Sequence, residues 1–92
     1  MIYEWDDQKN EKNYLKHQVW FEEAQTLWAD AQALEFFDSE HSENEQRFLR
    51  IGHSSQFRIL LVVFCERHED AIRIISARRA TKKERKSYEE RI

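Results

Sequence analysis

The sequence predicts a single α+β domain, an antiparallel sheet with helices packed on one side of it, in the order β-α-α-β-β-β-β-α. The length of 92 residues suits one domain with one small core, so the domain is assigned to residues 1–92. Residues 57–80, FRILLVVFCERHEDAIRIISARRA, contain two apolar, β-branched runs around a short charged loop, which indicates a strand hairpin. Residues 20–31 instead repeat their apolar side chains every three or four positions, which indicates a helix.

The first half of the chain predicts a short strand and two helices. Residues 2–4 alternate weakly and are followed by acidic residues, so they are predicted to form an edge strand. Asp6 is a typical N-cap residue, because its carboxylate accepts hydrogen bonds from the free N–H groups of a helix start, and a helix is predicted over residues 7–16. A second helix is predicted to begin near Phe21. Its apolar face consists of Trp20, Phe21, Ala24, Leu27, Trp28 and Ala31.

The second half predicts four strands and a final helix. The strands are predicted over residues 33–38, 47–51, 57–66 and 72–77. Strict alternation places Arg73, Ile75 and Ala77 on one face of the last strand. Thr81 and Glu84 have the spacing of a capping box, so a helix is predicted over residues 82–91. Its apolar face is little more than Tyr88 and Ile92, so this helix is expected to pack loosely or to require a partner.

Composition and motif content exclude several classes of function. The chain contains one cysteine, Cys65, so it has no internal disulfide and a reducing, cytoplasmic setting is expected. No apolar run approaches the length of a membrane span. The four histidines lie in separate segments, which does not match the spacing of a zinc site, so neither a metal ion nor a cofactor is expected.

Charge is distributed unevenly along the chain. Residues 1–46 contain three Lys/Arg and twelve Asp/Glu, whereas residues 47–92 contain twelve Lys/Arg and six Asp/Glu. Such asymmetry predicts either a nucleic acid bound by the basic half or a basic partner bound by the acidic half. The alternative is that the two halves neutralise each other within one fold.

Arginine is the residue type that carries the functional argument. Arg58, Arg67, Arg73, Arg78 and Arg79 lie in or beside the strand hairpin. In a tight hairpin the start of one strand lies opposite the end of the next, so Arg58 and Arg78 are predicted to approach each other. Two adjacent guanidinium groups favour a bound anion such as phosphate, which each group contacts through two hydrogen bonds. The alternative is that each arginine pairs with a carboxylate from the first half.

Cations of this kind are one requirement for cutting RNA without a metal ion. When the neighbouring 2′-hydroxyl attacks phosphorus, the reaction also needs a base for the hydroxyl proton and a proton donor for the leaving 5′-oxygen. His17, next to Lys16 at a helix end, is a candidate acid or base near neutral pH. Tyr88 is a candidate donor or positioning group, and Glu22 a candidate base or arginine partner. A histidine between two helices is also a common packing or capping residue, so its role stays open.

Several runs of residues together resemble a known family over nearly the whole chain. In the first half they are Tyr3-Glu4-Trp5-Asp6, Lys9, Asn13, Lys16-His17 and Phe21-Glu22-Glu23-Ala24. In the second half they are Arg58-Ile59-Leu60, Glu66-Arg67, the run IRIISAR from Ile72 to Arg78, Ala80-Thr81, Glu84-Arg85 and Tyr88-Glu89. These runs resemble the BrnT family, and the IRIISAR run with the following helix is the most specific of them.

The resemblance implies a RelE-like fold and a ribonuclease toxin of a bacterial type II toxin–antitoxin system, which cleaves RNA and inhibits translation. It also implies a BrnA-type antitoxin that neutralises the toxin and binds operator DNA, so that the toxin meets DNA only within the complex. The candidate catalytic residues are His17, Arg58, Arg67, Arg78 and Tyr88. The candidate RNA-binding residues are Lys16, Arg47, Arg73, Arg79, Lys82, Lys83 and Arg85.

The chain departs from the family pattern at two positions between the first two helices. Gln18 stands where the family usually has glycine, and a left-handed backbone at a non-glycine residue costs about 1 kcal/mol. Trp20 stands where the family usually has a capping serine, the loss of which costs roughly 0.5–2 kcal/mol. Two other functions stay open: a non-catalytic module whose acidic half binds a basic partner, and a stand-alone nucleic-acid binder, which the net charge of −3 disfavours.

Overall fold

The computed structural model of the chain describes residues 1–90 and has the predicted α+β class. Its elements are β1 (Ile2–Glu4), α1 (Asp7–His17), α2 (Phe21–Ala24) continued by a 3₁₀ helix (Gln25–Ala29), β2 (Leu34–Phe37), a short 3₁₀ helix (Ser39–His41), β3 (Arg47–His53), β4 (Ile59–His68), β5 (Ala71–Arg79) and α3 (Lys82–Glu89). The final helix was predicted to include Arg91 and to use Ile92 on its apolar face, and both residues lie outside the described range. Within residues 1–90, no helix is both long enough and apolar enough to cross a membrane.

The five strands form one mixed sheet in the order β1-β5-β4-β3-β2. The strands from β2 to β5 are antiparallel, with consecutive strands adjacent. β1 lies on the edge as predicted, but it pairs parallel with β5, placing Tyr3 beside Ile72. The prediction of a wholly antiparallel sheet is therefore wrong for β1. Parallel partners require a long crossover connection, and here most of the chain lies between the two strands.

A bulge in β5 reverses the alternation that the sequence predicts for this strand. Val63 lies opposite Ser76 and Phe64 opposite Ile74, so Ile75 has no partner on β4. Because of this extra residue, Ile74 and Ala77 belong to the same buried cluster. The prediction that Ala77 shares a face with Arg73 and Ile75 is wrong for this reason. Arg78, the next residue, faces away from that cluster and lies opposite Leu61.

Helices pack on both faces of the sheet, not on one side as predicted. Successive residues of β4 point to opposite faces. On one face, Leu60 and Val62 pack in a fully buried cluster with Phe21 and Leu27 from the α2 segment. On the other, Leu61 packs with Tyr88 from α3. The final helix is thus anchored by one buried aromatic side chain, even though its apolar face is poor.

The two departures from the family pattern are visible in the turn between α1 and α2. Gln18 has a φ of 57°, which is the left-handed conformation that favours glycine, and its N–H donates to the Tyr14 carbonyl at 2.7 Å. Trp20 occupies the N-cap of α2 without a side-chain capping bond. Asn10 compensates, because its side-chain oxygen accepts from the Phe21 N–H at 2.7 Å. The lost cap is therefore replaced by a residue of the preceding helix.

α1 is fixed to the sheet by a polar side chain. The Asn13 side chain donates to the Ala77 carbonyl at 2.8 Å and accepts from the Ala77 N–H at 3.1 Å. Asn13 is 7% exposed, so these hydrogen bonds are shielded from water and each contributes more to stability than an exposed one. They hold the last turn of α1 against the end of β5, which positions the candidate site.

Candidate functional site

An open depression lies where the end of α1 meets the end of β5. Its lining residues, here called the cationic depression, are Lys16, His17, Gln18, Arg78, Arg79 and Thr81. The left-handed turn at Gln18 ends α1 directly after His17, and the Asn13 bonds to β5 hold that helix end in place. The sequence predicted Lys16, His17, Arg78 and Arg79 as candidates, and all four line this one depression.

The electrostatics of the depression favour an anion next to a neutral histidine. Burial, the Lys16 ammonium and the Arg78 guanidinium lower the pKa of His17 below its usual value of 6.5. The imidazole is therefore mostly uncharged at pH 7 and is able to accept a proton. Among residues 1–90, no carboxylate lies within 4.0 Å of a charged nitrogen of Lys16 or Arg79. A phosphate group would supply the negative charge that these cations lack.

Arg78 is held in one orientation by a carboxylate from α3. Its two terminal nitrogens donate to the two oxygens of Glu84 at 2.8 and 2.9 Å, the fork geometry of a bidentate pair. This contact raises the pKa of Arg78 and lowers the pKa of Glu84. Side-chain exposures of 37% and 25% leave the pair accessible to a ligand. Arg78 also borders a shallow depression on the α3 face of the sheet, together with Arg47 and Ser76.

Arg58 belongs to a different, largely buried network. Its guanidinium donates to both oxygens of Glu23 and to the Gln18 carbonyl, and Ser54 donates to the same carboxylate at 2.7 Å. Burial opposes the charge of Glu23, but the bonds from Arg58 and Ser54 outweigh it and lower the pKa of Glu23. The Glu23 side chain is 3% exposed, so Arg58 neutralises a charge that would otherwise be buried alone.

The predicted approach of Arg58 and Arg78 is therefore wrong. The pairing register places Arg78 opposite Leu61, three residues beyond Arg58. Each of the two guanidinium groups also has its own carboxylate, Glu23 or Glu84. Within residues 1–90, the cations of the depression that have no direct ion pair are instead Lys16 and Arg79.

Arg67 and Arg73 lie toward the opposite end of the sheet. Arg67 contacts Glu45 at 3.3 Å and Glu4 at 3.6 Å, and Arg73 is paired in register with Cys65 and Glu4. Arg67 lies six positions along β4 from Leu61, the partner of Arg78, which corresponds to about 20 Å along a strand. Neither arginine therefore reaches the cationic depression.

Tyr88 is buried and serves the packing of α3. It is 2% exposed, its hydroxyl donates to Asp30 at 2.5 Å, and it lies 2.8 Å from the Nδ1 atom of His53. Burial and the Asp30 carboxylate raise the pKa of Tyr88 to about 12. Because this hydroxyl is buried and its pKa is raised, it is poorly placed to exchange a proton with a bound RNA.

Three further candidate cations lie on the surface of α3. Arg85 contacts Glu89 at 3.9 Å on α3, and it borders a further depression that also includes Arg79. Lys82 and Lys83 are exposed at the start of the same helix. Exposed cations of this kind contribute to long-range attraction of a polyanion more than to a defined contact.

Carboxylates are the site residues that sequence reasoning missed. The capping box identified Glu84 as a helix cap, and it is one, but the same carboxylate also binds Arg78. Glu22, the predicted arginine partner, accepts from Asn10 at 2.9 Å, whereas its neighbour Glu23 binds an arginine. Ion pairs from Glu4, Glu23, Glu35 and Glu45 to arginines of the second half show that the two halves partly neutralise each other. Within residues 1–90, no group of three or more His, Cys, Asp or Glu side chains is arranged to hold a metal ion.

Comparisons with known proteins agree on one family and one fold. The family model described as ribonuclease toxin, BrnT, of type II toxin-antitoxin system matches residues 5–84. The structure is similar to the 1.1 Å crystal structure of the Brucella abortus ribonuclease toxin BrnT, with a TM-score of 0.67 and 24% sequence identity. That match covers 89% of this chain and 100% of the Brucella chain, and at this identity it supports the shared fold. A search of curated protein sequences found no match.

Proposed function

The chain belongs to the BrnT family of ribonuclease toxins of type II toxin–antitoxin systems, and we propose that it is a metal-independent endoribonuclease acting at the cationic depression. The observation that carries the assignment of this site is the meeting of His17 with Lys16, Arg78 and Arg79 in one open depression. A neutral base and several cations are two of the features that cleavage by 2′-hydroxyl attack requires.

The proposed reaction uses the imidazole as base and the guanidinium groups as charge stabilisers. His17 takes the proton of a 2′-hydroxyl, whose oxygen attacks the adjacent phosphorus. The bond from phosphorus to the 5′-oxygen breaks, leaving a 2′,3′-cyclic phosphate and a 5′-hydroxyl that takes its proton from solvent water. Arg78, Arg79 and Lys16 neutralise the charge that develops on the phosphoryl oxygens.

Glu84 is proposed as a positioning residue for this reaction. It fixes both ends of the Arg78 fork, at 2.8 and 2.9 Å, so the guanidinium does not need to be ordered when the substrate binds. The carboxylate is itself held by the Thr81 N–H at 2.8 Å, as part of the cap of α3. Anchoring of α3 by Tyr88 thus supports the site indirectly, while Arg58 and Arg67 contribute to folding through their own ion pairs.

The cellular role follows from family membership as a further part of the proposal. RNA cleavage in the cytoplasm would inhibit translation, and a BrnA-type antitoxin would neutralise the protein and carry the contact with operator DNA. A RelE-like arrangement of sheet and helices fits this activity. Inducing the chain alone should arrest growth, and co-expression of its antitoxin should relieve the arrest.

The decisive experiment measures RNA cleavage by the purified chain without its antitoxin. Cleavage of single-stranded RNA should persist in EDTA and yield 2′,3′-cyclic phosphate ends. His17→Ala should lower the rate by about 10²–10⁴-fold and Arg78→Ala by about 10²–10³-fold. Because the pKa of His17 lies below 6.5, the wild-type rate should rise with pH and level off below pH 7.

His68→Ala is the matched control, since His68 is an exposed histidine at the far end of β4. It should leave the rate unchanged. Equal rates for His17→Ala and His68→Ala would remove His17 from the mechanism. A folded wild-type chain that cuts no RNA would refute the whole proposal and favour a binding module that recognises a basic partner through its acidic half.

A further inference from the structure

Phe57 is an exposed aromatic side chain on a strained backbone. The residue is 87% exposed, and its φ is 63°, the left-handed conformation that is unfavourable for a residue with a side chain. The turn that imposes this conformation is closed by two bonds, from the Phe57 N–H to the Ser54 carbonyl at 2.9 Å and from the Ser54 N–H to the Arg58 carbonyl at 2.8 Å. Asparagine or glycine would suit this backbone better, and an exposed ring gains almost nothing from burial. Folding alone therefore does not explain phenylalanine at this position.

The surroundings of Phe57 connect it to the cationic depression. Phe57, Arg79, Ala80 and Arg85 border one depression, and Arg79 also lines the cationic depression beside His17. Arg58, the next residue in the chain, forms an ion pair with Glu23. A strip of surface thus runs from His17 across Arg79 to an exposed aromatic ring. Cations next to an open aromatic face are the combination that binds single-stranded nucleic acid.

We propose that the Phe57 ring stacks on a nucleobase of the RNA substrate, adjacent to the phosphate that Arg79 holds at the cationic depression. The inference rests on the ribonuclease function proposed above and adds a base-binding subsite to it. Stacking on a phenyl ring does not read hydrogen-bonding groups, so this subsite selects unpaired bases over paired ones and discriminates weakly between the four bases.

The binding test uses a fluorescein-labelled 2′-O-methyl heptanucleotide of degenerate sequence, which has no 2′-hydroxyl to attack phosphorus. Phe57→Asn and Phe57→Gly should each weaken its binding by roughly 5- to 100-fold, the usual effect of removing one stacked base contact. Phe57→Trp should bind at least as tightly as the wild type. A 2-aminopurine placed in the oligonucleotide should show fluorescence quenching with the wild type and with Phe57→Trp, and lose it with Phe57→Asn.

Stability separates stacking from a structural role. Relief of the left-handed strain should leave the Tm of Phe57→Asn and Phe57→Gly unchanged or raise it by up to about 6 °C. Phe36→Ala is the matched control, because Phe36 is an exposed aromatic on the edge strand β2 and lines neither the cationic depression nor the depression beside Phe57. It should leave oligonucleotide binding unchanged.

Three results would overturn the subsite. The first is that Phe57→Asn binds the oligonucleotide with wild-type affinity. The second is that a loss of Tm in this variant accounts for its weaker binding. The third is that the variant cleaves RNA normally but is no longer neutralised by the antitoxin. The last result would assign the ring to the protein partner. Failure of the proposed function is distinguishable, since the wild-type chain itself would then neither bind the oligonucleotide nor cleave RNA.

Discussion

Replacing Tyr88 by phenylalanine tests whether its hydroxyl anchors α3 or donates a proton to substrate. The hydroxyl contributes one hydrogen bond to the buried Asp30 carboxylate, at 2.5 Å. In its absence Asp30 keeps the His53 N–H at 3.0 Å and the Gln32 N–H at 2.9 Å. One lost bond to a buried charged group should lower the free energy of unfolding by about 2 kcal/mol at pH 7. For a domain of this size the Tm should fall by roughly 8–16 °C.

The same variant should change the stability of the protein at alkaline pH. Burial and the Asp30 carboxylate raise the pKa of Tyr88 from its ordinary value of 10.0 to about 12, so the tyrosine stabilises the fold fully below pH 10. That contribution is lost as the pH rises through the folded-state pKa. A pKa difference of about 2 between the folded and unfolded states corresponds to about 3 kcal/mol of the free energy of unfolding. The stability advantage of the wild type over Tyr88→Phe should therefore shrink between pH 10 and pH 12.

Urea unfolding at a series of pH values from 7 to 11.5 measures both effects. Tyr14→Phe is the matched control, because Tyr14 is 37% exposed and stacks on Trp20. It should leave the stability at pH 7 unchanged. RNA cleavage by Tyr88→Phe at 25 °C should stay within a few-fold of the wild type. The anchoring role would be refuted by wild-type stability together with a large loss of cleavage.

Two further substitutions test the turn between the helices and the network beneath it. Glu23→Gln should lower the free energy of unfolding by about 3 kcal/mol, because Arg58 loses the carboxylate that it neutralises. Urea denaturation measures this change, and a loss below about 1 kcal/mol would contradict the prediction. Gln18→Gly should raise the free energy of unfolding by up to about 1 kcal/mol, because the left-handed φ of 57° is unstrained at glycine. A lower Tm in calorimetry would contradict this and would mean that the hydrogen bond from the Gln18 side-chain amide to the Leu15 carbonyl, at 3.1 Å, outweighs the strain.

Local signals in the sequence were reliable because their partners are close in the chain. Asp6 caps α1 by accepting from the Lys9 N–H at 3.0 Å, three residues away. Thr81 and Glu84 form the predicted capping box, again at a separation of three. The apolar spacing of the second helix correctly identified Phe21, Ala24 and Leu27 as buried, but Trp20 and Ala31, predicted on the same face, are exposed. The regular α-helix ends at Ala24, and a 3₁₀ helix continues it to Ala29.

The errors concern contacts between distant segments. β1 and β5 pair across most of the chain, and the bulge at Ile75 depends on how β5 fits β4. A residue pattern with period two does not reveal either feature. The arginine interpretation failed for the same reason, since Arg58 finds Glu23 at a separation of 35 residues. Which carboxylate neutralises which guanidinium is decided by the assembled fold, so composition predicted a cationic surface but not which cations remain available.

The dependence of both N-terminal elements on β5 sets the order in which the molecule is completed during synthesis. β1 pairs with residues Ala71, Ile72 and Arg73, and the Asn13 side chain that holds α1 bonds to Ala77. Residues 1–17 therefore dock only after residues 71–77 have been synthesised and have left the ribosome. Such distant pairing slows folding. The proposed ribonuclease site is completed at the same step, because β5 carries Arg78 and holds the helix that carries His17.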